Sequence, residues 1–211
     1  MKKRATLLLV LGLIAALVLG GCGKKDDSKD LVGEWQATLE MADTLNESLA
    51  SDPTMAEYMN IDSFALKMDL SLRDDNTFTL ALNEDSVNEA FENIKPALKD
   101  GVTKYMEATL EGTGMTIDDA LAAAGMDIDS MIDEMLSPAS ITASLGETTE
   151  SGSFVAQDGK LYFLDAGETK PGDDSEAMPY TLSGSNLSLE KPTSGDLGEL
   201  ADFFPLEFTK Q

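Results

Sequence analysis

Few residues in this chain of 211 could do covalent or acid–base chemistry. Cys22 is the only thiol, and there is no histidine. Without histidine, Ser-His-Asp and Cys-His nucleophilic catalysis, histidine general acid–base chemistry and the usual histidine zinc sites are excluded. Carboxylate chemistry remains, but among 39 Asp and Glu residues no pair stands out by type or spacing. The best calcium-like fragment is Asp127-Ile128-Asp129-Ser130. It carries Ile132 where an EF-hand loop needs glycine and Pro138 where it needs the bidentate glutamate. The chain is therefore read as non-enzymatic, with no catalytic residue, no metal and no cofactor.

The formal charge is −24 and the sequence pI about 4.1. A surface this acidic repels nucleic acid and anionic head groups, so neither is an expected partner. The bland account of the charge is a solvated acidic coat.

Cys22 has a context. Lys2, Lys3 and Arg4 precede the apolar run Leu7 to Leu19, which is shorter than the ~20 residues of a membrane-spanning helix and has the form of a secretory signal. Leu19-Gly20-Gly21-Cys22, at the end of that run, resembles the lipobox of bacterial lipoproteins. The resemblance implies thioether lipidation of Cys22, cleavage before it and acylation of the new amino terminus. A lone cysteine in an exported chain has no disulfide partner, which agrees. Two or three acyl chains anchor stably where one would be marginal. The expected organisation is a signal peptide over 1–21, the lipidated cysteine with a flexible tether over 22–30, and one folded domain over 31–211. The tether reaches at most about 28 Å. The expected location is the extracytoplasmic face of a cell envelope, with the membrane as partner through Cys22. Gly23 and Lys24 follow with no aspartate at the second position, which favours the outer membrane in a two-membrane host.

The elements that would build the domain follow from periodicity. Trp35, Ala37, Leu39 and Met41 alternate with Glu34, Gln36, Thr38 and Glu40, a strand with one wet face. Phe64, Leu66, Met68, Leu70 and Leu72 repeat the pattern, as do Phe78, Leu80 and Leu82. The loop Asp74-Asp75-Asn76, with Asn76 left-handed, pairs Leu72 with Phe78, Leu70 with Leu80 and Met68 with Leu82. Asp158-Gly159 sets Ala156 opposite Leu161 and Phe154 opposite Phe163, and Gly184-Ser185 sets Leu182 opposite Leu187 and Tyr180 opposite Leu189. A last strand runs from Phe204 to Lys210, with Pro205 near its start.

These eight strands alternate tight turns with long connections at 42–62, 84–150, 165–178 and 191–203. An antiparallel meander thus gathers the tight turns at one end and the long connections at the other. The connections 165–178 and 191–199 read as solvent-exposed loops. The connection 84–137 reads as helical. Ser86-x-x-Glu89 has the form of a capping box, apolar residues from Val87 to Met106 follow at helical spacing, and Pro96 predicts a kink. Thr116-x-x-Asp119 starts a second helix, and a third carries Ile128, Met131, Ile132, Met135 and Leu136 until Pro138.

Gly33-Glu34-Trp35 at the start of the first strand resembles the Gly-x-Trp signature of lipocalin and calycin barrels, and Tyr180 to Leu189 with Phe208-Thr209-Lys210 is similar to the closing strands of lipocalin-like bacterial lipoproteins. The resemblance covers the strands and not 84–137. It implies that the eight-stranded antiparallel up-and-down meander closes as a lipocalin-like β-barrel; with the helical insertion that periodicity places between the third and fourth strands, the expected fold is α+β. It also implies that Lys210, in place of the arginine more familiar there, packs across Trp35.

An eight-stranded barrel is filled by side chains or holds one small ligand. The expected function is binding of a small apolar or amphipathic ligand at a helix-covered mouth. The candidate contacts are Met55, Met59, Phe64, Phe154, Tyr180, Met131 and Met135, with the helical methionines as an adaptable lid. The alternative is that these methionines close a core, that large inward residues such as Phe78 and Phe163 fill the barrel, and that the helices dock a protein at the cell surface.

Overall fold

The computed structural model describes residues 27–50, 56–136, 149–172, 175–192, 201 and 203–211. The expected signal peptide and Cys22 lie outside the described residues, as do Met55 and Pro138.

Eight strands form one closed antiparallel barrel in which every strand pairs with its neighbours in sequence: β1 (Gly33–Glu40), β2 (Ala65–Leu72), β3 (Thr77–Leu82), β4 (Thr149–Gln157), β5 (Lys160–Leu164), β6 (Met178–Ser183), β7 (Asn186–Leu189) and β8 (Leu206–Lys210). The register is the one that sets apolar against apolar. Leu72, Leu70 and Met68 face Phe78, Leu80 and Leu82, Phe154 faces Phe163, and Tyr180 faces Leu189. The turns supply the required backbone: φ is +63° at Asn76, +54° and +73° at Asp158 and Gly159, and +62° at Gly184. β8 starts at Leu206, two residues later than the alternation alone suggests.

β1 and β8 close the barrel by pairing Trp35 with Lys210 and Ala37 with Phe208. The barrel core is Trp35, Leu70, Leu72, Phe78, Phe154, Leu161, Leu187, Leu189, Phe208 and their neighbours.

The chain enters through α1 (Ser28–Leu31), which corrects the expected tether. Residues 27–30 are polar and carry no period, yet the Asp27 backbone N–H donates to Ala156 O and the Ala156 N–H donates to Ser28 Oγ, each at 2.9 Å. These bonds satisfy buried backbone groups of β4, which hydropathy cannot report. Leu31 then plugs the tight-turn end, fully buried.

The remaining helices are α2 (Ala42–Ala50) after β1, and α3 (Glu84–Leu110), α4 (Ile117–Ala124) and α5 (Ile128–Met135), which follow β3 and precede β4 in the chain. α3 packs on β2. It starts at Asn83, whose side chain accepts from the Ser86 N–H at 2.9 Å, and not at a Ser86 capping box. Buried Ser86 serves a different end: its Oγ donates to Asn83 O and accepts from the Lys67 N–H, locking the helix start to β2. α3 continues through Pro96. The capping box at Thr116 and Asp119 is present, and Gly125 ends α4 at φ +73°.

Met59, Ile61, Phe64, Leu66, Ala90, Ile94, Leu98, Val102 and Ile132 form a second core between the helices and β2. Asn46 of α2 clasps residue 61 by two bonds, donating to Ile61 O and accepting from its N–H. Lys99 to Asp129 and Lys95 to Asp133 tie α5 to α3.

Candidate functional site: the barrel mouth

The two ends of the barrel differ in chemistry. At the closed end, Trp35 is 1% exposed and its indole N–H donates to Leu31 O at 2.8 Å. The Lys210 ammonium lies 5.1 Å from the Trp35 ring centroid and donates to Val32 O at 2.9 Å. Gly33 belongs to the same cluster: a Cβ there would stand 2.5 Å from Lys210 Cε. Gly33, Trp35 and Lys210 are therefore brought together, and their work is to seal this end.

Tyr180 also serves the closed end. Burial, then the negative charges of Asp27 and Asp30 and a hydrogen bond with Asp27, push its phenol up to about 12. It ties β6 to the entering chain and does not line the cavity at the other end.

At the long-connection end the barrel is not filled. A cavity of about 470 Å³ opens there, within the size range of small-molecule sites. Its wall is apolar, built from Leu39, Met68, Leu70, Leu80, Phe163, Met178, Leu189, Leu206 and Phe208, with Phe203 and Phe204 at the approach to β8. Glu150, Asp165, Glu168 and Glu176 stand in the same lining, all exposed to solvent. The Phe163 ring meets Phe78 at 4.6 Å between centroids and closes the side toward the core.

None of the described candidate contacts lines this cavity. Met59 and Phe64 are buried in the helical core, where Phe64 meets Phe91 of α3 edge-on at 5.2 Å, and Met131 packs against the same core. Phe154 is fully buried in the barrel core. Met135 is the last residue of α5, and Met55 lies outside the described residues. Of the expected methionine lid, Met59, in the segment before β2, and Met131 of α5 close a core instead, packed with residues of α3 and β2. The methionines at the cavity are Met68 and Met178, at inward positions of strands. A signal for them was present: inward residues near the mouth ends of β1, β2, β3, β6 and β8 are Leu39, Met68, Leu80, Met178 and Leu206, smaller than the rings stacked deeper.

Among the described residues, Asp127 caps α5 by accepting from the Ser130 N–H, and no group of three or more His, Cys, Asp and Glu side chains could hold a metal. No helix among them is long and apolar enough to cross a membrane. Compared with protein-family models, with curated proteins and with solved structures, the chain matches none.

Proposed function

We propose that this protein is a lipid-anchored, extracytoplasmic binding protein that takes a small apolar or amphipathic ligand in the mouth of a lipocalin-like barrel. The observation that carries the reading is the cavity of about 470 Å³ with an apolar wall inside a closed barrel. The lipocalin likeness is supported by next-neighbour strand order, by the Gly33-x-Trp35 start of β1 and by Lys210 over the tryptophan. The anchor is Cys22, and Asp27 is docked on Ala156 at the closed end. With lipidation there, the mouth faces away from the bilayer.

The test is a neutral apolar fluorescent probe, N-phenyl-1-naphthylamine, added to the chain from residue 23. Both cores are built from residues 31–208, so this chain carries the whole described fold. Saturable binding that is lost in Leu80→Trp, which fills the cavity, is the expected result. Binding unchanged by that substitution, or no binding, overturns the reading.

A second reading, a surface adaptor, draws on Met115 and Met126. They are 50% and 36% exposed and flank α4, and Met115 lines a groove with Tyr58, Leu110 and Ile117. It predicts no probe binding in the barrel and loss of partner capture on changing both methionines to serine.

A further inference from the structure

The alternation of β4 turns Gly152, Phe154 and Ala156 inward, and the same period brings Glu150 to the inner face. Glu150 pairs with Leu80 of β3, and both line the cavity. An inward strand position of a barrel calls for an apolar side chain, and here it holds a carboxylate. β5 repeats the arrangement: Leu161 and Phe163 point inward, and Asp165, next in that series beyond the strand end, lines the same space. Among the described residues, neither carboxylate takes part in an ion pair or a side-chain hydrogen bond. Among the described residues no lysine or arginine lines the cavity, although Lys170 and Lys191 lie in connections at this end. The cavity therefore has an apolar wall and an acidic lip.

We propose that the ligand is an amphipathic cation, with its apolar body against Leu80, Met178 and Phe208 and an amine or quaternary ammonium end at Glu150 and Asp165. A cationic head at this lip meets carboxylates of opposite charge while its tail is buried on the apolar wall, and a carboxylate-headed amphiphile of the same length meets like charge. This rests on the cavity-binding reading and narrows it to one charge class.

The test uses the chain from residue 23 with decyltrimethylammonium, decanol and decanoate, titrated calorimetrically below micelle-forming concentration at physiological salt. The expected result is one-to-one binding of the cation at least about tenfold tighter than the alcohol, with the carboxylate weakest. In Glu150→Gln/Asp165→Asn, with circular dichroism confirming the fold, the cation drops to the level of the alcohol and the alcohol is unchanged. Leu80→Trp, or Met178→Trp should the first not fold, removes both. Equal affinities, or preference for decanoate, overturn the cation assignment and leave the cavity reading standing. Cation binding that survives both cavity-filling changes is adsorption to the acidic surface and also overturns it. No binding of any of the three overturns both readings.

Discussion

At the scale of single residues, the closed end depends on Trp35. Its ring is buried in the barrel core and its N–H serves the Leu31 carbonyl, so removing it creates a large cavity and leaves a buried acceptor unmet. Trp35→Ala should cost about 3–5 kcal/mol in urea unfolding. Lys210→Ala, losing one cation–π contact and one bond at an exposed site, should cost about 1 kcal/mol. A second prediction concerns Tyr180. Its folded value, pushed up to about 12, exceeds the ordinary 10, so the unfolded chain loses that proton first as pH rises. Its contribution to stability is full below about pH 10 and is lost as pH climbs through about 12. Titration followed by ultraviolet absorbance should show Tyr180 ionising at about pH 12, and Tyr180→Phe should remove that step. The Gly33, Trp35 and Lys210 cluster was legible through the resemblance of Gly33-Glu34-Trp35 to the lipocalin signature, which implies a basic last-strand residue across the tryptophan, and antiparallel closure brings those two strand ends together. Tyr180 was legible as inward-facing but not as a closed-end residue, because its partner Asp27 belongs to a segment with no periodic signal.

At the scale of elements, the barrel and the helical layer were legible to different degrees. Strand registers follow from local facts, alternation and turn residues such as Asn76 and Asp158, and these decide pairing before any distant contact forms. The helix start at Asn83 was hidden because two residues compete as caps. Asn83 wins by freeing Ser86 to satisfy Lys67 of β2, a tertiary bond that spacing does not encode. The cavity was hidden for a similar reason. Methionines of the long connections suggest a lid, and only the packing of α3 on β2 shows that Met59 and Met131 face a core of their own. The seam between that core and the preceding segment has one close approach: a Cβ at Gly101 would meet Met59 Cγ at 2.5 Å and the Tyr58 carbonyl oxygen at 2.8 Å. Alanine gains about 1 kcal/mol of helix propensity over glycine, whereas overpacking costs about 1–3 kcal/mol. The carbonyl is backbone and cannot swing aside, so the clash wins. Gly101→Ala should lower stability by about 1–2 kcal/mol and speed amide exchange in α3 more than in the barrel strands.

At the scale of the whole molecule, a barrel without edges and a net charge of −24 act in opposite directions on stability. Closure gives every strand a partner on both sides, with β5 and β6 joined only through Lys160 with Pro179 and Leu161 with Met178, and so removes the free edge strands of an open sheet. The charge favours solubility but opposes compactness through self-repulsion. Screening should relieve that repulsion, so Tm should rise between about 20 and 200 mM sodium chloride, where the Debye length falls below roughly 10 Å. A Tm that falls with salt would mean that ion pairs such as Lys99 with Asp129 outweigh the repulsion. The distribution of bulk along the barrel matters more for function. Trp35, Phe154 and Phe208 fill the interior from the closed end, and the smaller residues toward the mouth leave room. Under the proposed anchoring at Cys22, a barrel filled from the closed end would present its open half outward, with an acidic lip.

The most direct test of that account is native mass spectrometry on the chain from residue 23, exposed to an extract of the host envelope and compared with Leu80→Trp. The account predicts a discrete added mass on the unsubstituted chain, lost on unfolding and absent from the substituted one. An unliganded mass for both, or the same added mass on both, would contradict it.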